Sequence, residues 1–415
     1  MGSTPKMRYT AALFSERVAL AVVFVTCIAC GSWGQTARRG GASAHSMLNP
    51  GSEHFVLDHN RVFVELAFVR ADGTRRKVLA FVDSGDPTFT LSVGLVKELR
   101  VDKWKSLDGH VLFGGRPLDT SAVKAVDRAN WFFPGLHVEA NLPATVLEQY
   151  DVVLDYAKQT LTLAPPGSVK HEGVRVPCKV NRTTGLAAVQ AEVDGKEYAF
   201  TVDNGSAYTW VDQGVVKSWV SAHPQWLRGI GAVGDANMNG ELPELTGMIV
   251  RLHEIGLDGL KLREVGALGV GPGWDKATPN FFAWYSTKTP GPVVGFFGGS
   301  VLRSFRLEID YAGGATYWLQ EIPLDPHDLD QVGVIIRPVA NGDFVVYGVA
   351  TQNGRKTVDG VEAKDRLIAV DGVPMAGATQ GTVLRALHGK PGEIRELKLE
   401  RGGKTFEVKA RVMQF

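Results

Sequence analysis

Two short segments, Asp83-Ser84-Gly85 and Asp203-Asn204-Gly205, each set an acid in a tight turn directly behind an apolar run, VLAFV in the first and YAFTV in the second. An acid at the end of a buried strand needs a reason, because burial disfavours its charge. One such turn alone reads as an ordinary β-turn. Two in matching contexts read differently. If the halves that carry them pack about a pseudo-twofold axis, Asp83 and Asp203 meet, and neighbouring carboxylates share one proton rather than both ionise. The ionised acid can then take a proton from a bound water while the protonated one polarises a carbonyl, which is general acid–base hydrolysis without a covalent intermediate. Gly85 and Gly205 let backbone amides approach the acids.

The elements that must position these acids come in two copies. KVLAFVDSGDPTFTLSVGLVKEL from Lys77 returns as EYAFTVDNGSAYTWVDQGVVKSW from Glu197, with Gly94 matching Gly214 and Lys97 matching Lys217 at a constant offset of about 120 residues. A second block, VLEQYDVVLDYAKQTLTL from Val146, returns as VLRSFRLEIDYAGGATYWL from Val301, so the second copy carries roughly 35 extra residues between its blocks. RVFVELAFV, KVLAFV, LAAVQAEV and YAFTV alternate as hairpin strands do, and the Asp-Gly pairs at Gly73 and Gly195 suit tight turns. APPGSVKHEG, with Pro165, Pro166 and Gly167, reads as an exposed connection between the copies. The spacing predicts two mostly β lobes over 51–168 and 169–322. A third unit over 330–415 has five short strand-like runs and a helix that puts Val383, Leu384 and Leu387 on one face.

Residues 1–29 combine Lys6, Arg8 and Arg17 with the apolar run VALAVVFVTCIA, the order of an export signal, followed by a linker over 30–50. The run is too short for a permanent transmembrane helix, so release into the periplasm or envelope is expected, with Cys30 as a site for a lipid anchor. Lysine and arginine nearly balance aspartate and glutamate, giving a formal net charge of +1, which provides no electrostatic pull on nucleic acid. Cys27, Cys30 and Cys178 cannot build a disulfide framework or a metal centre, the ten histidines are scattered, and no zinc, nucleophile-elbow or phosphate-loop motif occurs. No metal and no cofactor is expected.

The two Asp-x-Gly segments and the later stretch VVGFFGGSVLRSFRLEIDY resemble the bacterial aspartyl peptidases of retropepsin-like or pepsin-like fold, with the matches spread over about residues 56 to 320. The resemblance implies a mainly β chain of two retropepsin-like acid-protease β-barrel lobes and a peptide or protein substrate bound in the cleft between them. It implies that Asp83 and Asp203 are catalytic, supported by Ser84, Gly85, Asn204 and Gly205. It also implies that Gly295 to Gly298 brace the second catalytic loop. Three departures stand out. Asn204 replaces the hydroxyl residue usual after the acid, NLPATVLEQY lacks the bracing glycine of the first lobe, and Asp86 adds a carboxylate that reads as solvent-facing. LDGHVLFGGRPL near Gly114 and RGIGAVGDANMNGEL near Gly234 read as cleft flaps or as surface loops, and Trp226, Trp274, Phe281, Phe282 and Trp284 as pocket linings or core.

AKDRLIAVDGVPM and the helix and strands after it resemble a PDZ domain, a small α+β fold. That resemblance implies a groove for a peptide C-terminus between Gly333, Val334 and Ile335 on one side and Val383 and Leu387 on the other. An aspartic-type endopeptidase is the first expectation. The alternative is an inactive envelope peptide-binding or scaffold protein on the same fold, for which Asn204 speaks most directly.

Overall fold

The hairpin that carries the first acid forms as its alternation predicts. In this computed structural model, which describes residues 51–104, 106–129, 133–231, 243–271 and 280–415, strand Arg61–Val69 turns back through Gly73 into Arg75–Asp83, with Val64 opposite Ala80 and Leu66 opposite Val78. On its other side Arg75–Asp83 pairs in parallel with Val138–Pro143, so the strand lies inside the sheet. That placement explains why VLAFV is apolar at every position rather than at alternate ones. The second copy repeats the arrangement. Ala187–Val193 and Lys196–Val202 pair around Asp194-Gly195, both at positive φ, and Gly295–Phe297 pairs with Lys196–Val202 in parallel.

The repeated second blocks make the floor between the lobes. Six strands run in the order Gly51–His54, Thr160–Ala164, Asp151–Asp155, Phe305–Asp310, Ala315–Gln320 and Val174–Val180. The two central strands are antiparallel, with Asp151 opposite Asp310 and Asp155 opposite Arg306, so each half of the floor mirrors the other about a twofold through the middle. Tyr156, Tyr311 and Trp318 are buried around it. The chain is therefore mainly β, with two barrel-like lobes and a smaller α+β unit after them. Residues 166–168 of the connection between the lobes are exposed.

The C-terminal unit has the antiparallel strands Val334–Pro338, Phe344–Val349, Arg366–Val370, Ile394–Arg401 and Lys404–Arg411, closed by helix Gln380–Leu387 over its own core. It is fastened to both lobes. Ile230 of strand Leu227–Ile230 pairs with Thr351, which carries the second-lobe sheet on into the third unit. The helix N-terminus docks on Asp58 of the first lobe, whose carboxylate accepts hydrogen bonds from the Thr379 hydroxyl at 2.5 Å and the Gly381 amide at 3.1 Å. An acid at this end satisfies free amides and opposes the helix dipole favourably. Among the described residues no helix is long and apolar enough to cross a membrane. The expected export signal at 1–29, the linker with Cys30, Gly234 and Trp274 lie outside the described residues.

Candidate active site

Both acids sit where the inner strand of each lobe stops, and a reciprocal set of four hydrogen bonds ties the two turns together. The Ser84 amide donates to the Asn204 side-chain oxygen at 2.8 Å, and the Asn204 amide donates to the Ser84 hydroxyl at 3.1 Å. The Ser84 hydroxyl donates to the Val202 carbonyl at 3.0 Å, and the Asn204 side-chain NH2 donates to the Val82 carbonyl at 3.2 Å. Each side chain thus serves one N–H and one C=O of the opposite loop. An asparagine amide, with its acceptor and donor ends, does in the second lobe what the serine hydroxyl does in the first. The departure at Asn204 leaves the tie complete, and both side chains are buried.

The tie sets each glycine under the opposite acid. A Cβ on Gly85 would fall 2.2 Å from Cγ of Asp203, and one on Gly205 would fall 2.3 Å from Oδ1 of Asp83, so only glycine fits at either place. Asp83 accepts the Gly85 amide at 2.9 Å, with the Asp86 amide also favouring its charged form, and Asp203 accepts Gly205 at 2.9 Å and Ser206 at 3.2 Å. Behind them, the Tyr285 hydroxyl donates to the Gly85 carbonyl at 3.0 Å, and Nε of Arg61 donates to the Gly205 carbonyl at 2.9 Å. Asn60 reaches the Ala207 carbonyl at 3.1 Å. Nothing in the sequence around Arg61, Asn60 or Tyr285 marks them as part of a site, since they reach it across 144 to 200 residues of chain.

The bracing segments differ between lobes. In the second, the Gly299 and Ser300 amides donate to the Ser206 and Ala207 carbonyls at 2.7 and 2.8 Å, and a Cβ on Gly298 would fall 2.0 Å from the Tyr208 carbonyl oxygen. In the first, Pro143 lies opposite Asp83 at the end of the parallel strand. The Ala144 amide and the Thr145 hydroxyl then hold the Asp86 and Pro87 carbonyls, both at 2.8 Å. The first lobe thus braces its loop with Pro143 and Ala144 where the second has Gly298 and Gly299.

Burial raises both carboxyls above their usual range. For Asp83 the next causes are the charges of Asp203 and then Asp86, with the Gly85 and Asp86 amides pulling back; for Asp203 the amides of Gly205 and Ser206 pull back, Asp86 pushes up and Arg61 pulls down. Asp86 is half-buried, which corrects the solvent-facing expectation. Its carboxylate accepts the Thr88 amide at 2.8 Å, burial raises its own pKa, and it stands near both acids. Lys288, lowered by its own burial, is a cation that counters it and lies over the Trp284 ring at 4.0 Å. Two facing carboxyls, both hard to ionise, suit the sharing of one proton. Among the described residues no group of three or more His, Cys, Asp or Glu side chains could hold a metal ion.

The other expected site residues fall elsewhere. The hairpin at Gly114 packs its tip on Gly51 to Glu53. Phe282 is buried, Phe281 packs against Trp210 and Tyr285, Trp284 is exposed, and Trp226 stacks on His223. Gly333 is at positive φ, and Val334, Ile335, Val383 and Leu387 are fully buried. Val334, Val383 and Leu387 belong to one core, and the Val332 amide donates to the Leu387 carbonyl at 3.2 Å. In this arrangement the seam between strand and helix is packed as core rather than open as a groove.

No protein-family model matches the chain, and no curated protein matches it. Among solved structures it is similar to an aspartic proteinase from Irpex lacteus, at 11% identity over 65% of this chain and 97% of that one, with a TM-score of 0.38. It is also similar to a retropepsin-like aspartic protease from Rickettsia conorii, at 16% identity over 36% of this chain and 93% of that one, with a TM-score of 0.23. A third likeness, to a photosystem II D1 C-terminal processing protease, has 22% identity and a TM-score of 0.19. It covers 21% of this chain and 23% of that protein, so the chain spans less than a quarter of its length.

Proposed function

We propose that this chain is an aspartic-type endopeptidase whose Asp83 and Asp203 together activate a water against a peptide bond held between the lobes. The observation that carries the reading is the four-bond tie between Ser84 and Asn204, which sets the two acids against each other's glycines. In the proposed reaction the ionised acid takes a proton from water as the water oxygen bonds to the carbonyl carbon, and the other acid gives its proton to the carbonyl oxygen. The tetrahedral species collapses when the first acid returns its proton to the amide nitrogen. The C–N bond then breaks, and a hydroxyl proton goes back to the second acid, so both acids end as they began. Tyr156 and Tyr285 are buried beside the pair.

The alternative of an inactive binder leaned on Asn204, and the complete tie removes that support. Peptide-end recognition by the C-terminal unit gains no support from the closed seam. The test is cleavage of a diverse peptide library from pH 3 to 7 by the protein lacking residues 1–29. We expect cleavage by the wild type and a loss of about a thousandfold or more in both Asp83→Asn and Asp203→Asn. Peptide binding without cleavage at any pH would sink the peptidase reading. We place this activity outside the cytoplasm, from the N-terminal pattern; retention of an unprocessed chain in the cytosol on expression in a bacterium would speak against that.

A further inference from the structure

The two acids stand in matching frames, but the charges behind those frames differ. Behind Asp83, the Gly85 carbonyl is held by a neutral phenol, Tyr285. Behind Asp203, the Gly205 carbonyl is held by the guanidinium of Arg61, whose side chain is buried. Arg61 is itself fixed: its NH1 lies 2.7 Å from Nδ1 of His59. A guanidinium can only donate, so Nδ1 of His59 accepts and the ring is neutral with its proton on Nε2. Burial first, and then Arg61 and His388, keep that ring from taking a second proton. The cation behind Asp203 is therefore not shared with a nearby imidazolium.

The amides do not set the two acids apart. The Gly205 and Ser206 amides favour the charged form of Asp203, and the Gly85 and Asp86 amides favour that of Asp83. The difference lies in the charge behind the turns. Among the described residues the remaining groups facing the pair are Asp86, which opposes the charge of both acids, with Lys288 and Asp127 beyond it, and the phenols Tyr156 and Tyr285, both held neutral. None of them offers Asp83 a cation to match Arg61.

We propose that Arg61 is a positioning residue that makes Asp203, rather than Asp83, the acid that holds the negative charge in the resting pair. Asp203 then takes the proton from water and Asp83 gives its proton to the substrate carbonyl. Arg61 touches neither substrate nor reacting atoms; it acts through the Gly205 carbonyl and through its charge. This assignment of roles rests on the peptidase reading, but the placement of the charge does not.

Two measurements separate the two. In Asp83→Asn protein with 13C-labelled aspartate, the Asp203 carboxyl titrates without its partner, and adding Arg61→Gln should raise its midpoint by roughly half a unit or more. Arg61→Lys, which keeps the charge, should hold it near the starting value. In the protein with both acids, Arg61→Gln should move the acid limb of the kcat/KM profile upward by a similar amount, and Arg61→Lys should restore it. An unmoved Asp203 midpoint in Arg61→Gln overturns the proposal even where cleavage is normal. If Arg61→Gln does not fold, an Arg61→Lys midpoint displaced as far as the acid expected without a cation overturns it as well. A wild type that cleaves nothing while the midpoint moves as expected removes the peptidase reading and leaves Arg61 as the source of the asymmetry.

Discussion

The loop around Asp83 and the loop around Asp203 make the same backbone bonds with different side chains. A hydroxyl in one faces an amide in the other, Pro143 and Ala144 stand where Gly298 and Gly299 stand, and Tyr285 answers to Arg61. The frame that must be symmetric is the set of donors and acceptors that fixes the turns. The side chains that provide them are free to differ wherever a different group reaches the same backbone atom. Electrostatics need not be symmetric at all, because the proposed chemistry asks one acid to be charged and the other not.

The comparison breaks most visibly at Asn204. Removing its amide in Asn204→Ala leaves the buried Ser84 N–H and Val82 C=O without partners, at a cost of about 1–3 kcal/mol in urea unfolding, with a larger loss in kcat than in 1/KM. Asn204→Ser should recover most of both, since one hydroxyl serves the same two kinds of group from position 84. If serine is as damaging as alanine, the two sides of the tie are not interchangeable and the equivalence drawn here is wrong.

A smaller effect follows from the raised carboxyl of Asp83. An acid whose folded-state pKa lies above its unfolded value contributes fully below the unfolded pKa and loses that contribution as pH rises through the folded pKa. Wild type and Asp83→Asn should therefore have similar Tm values below about pH 4, and the variant should gain on the wild type towards pH 7. A variant less stable than the wild type at pH 7 would mean that the ionised acid is well solvated, against its burial. Replacing Asp86 has the smallest expected effect. Its charge opposes ionisation of both acids, so Asp86→Asn should move both limbs of the pH profile downward by roughly half a unit. Movement of one limb only would show that Asp86 acts on one side of the pair.

The acids were legible because a repeat in register fixes two positions at once. At a constant offset, Asp83 and Asp203 could be paired before any fold was drawn, and the alternating runs around Gly73 and Gly195 showed their strands. Arg61 and Tyr285 were not legible. Each reaches its carbonyl from the other lobe, and an arginine opening a strand or a tyrosine in FFAWY looks the same whether it holds a catalytic loop or a surface. The burial of Asp86 is not legible either, because it comes from packing around the loop rather than from its immediate neighbours in sequence. The apolar face formed by Val383 and Leu387 is legible in the sequence. Periodicity alone does not tell a groove wall from a core, and here the helix fills its own unit.

The turn from Asp58 to Arg61 has no slack. Asp58 belongs to the C-terminal helix, His59 to Arg61, Asn60 to Ala207 and Arg303, and Arg61 to Gly205, while His59 and Asn60 hold the positive φ angles that let the hairpin close. Surface turns usually tolerate insertions because their residues answer to solvent. Here four consecutive residues answer to three different parts of the chain, so one added residue would put every later one in its neighbour's place. The turn at Gly73, where a Cβ would meet nothing within 4 Å, can lengthen as the chain diverges; the turn at 58–61 can change letters but not length.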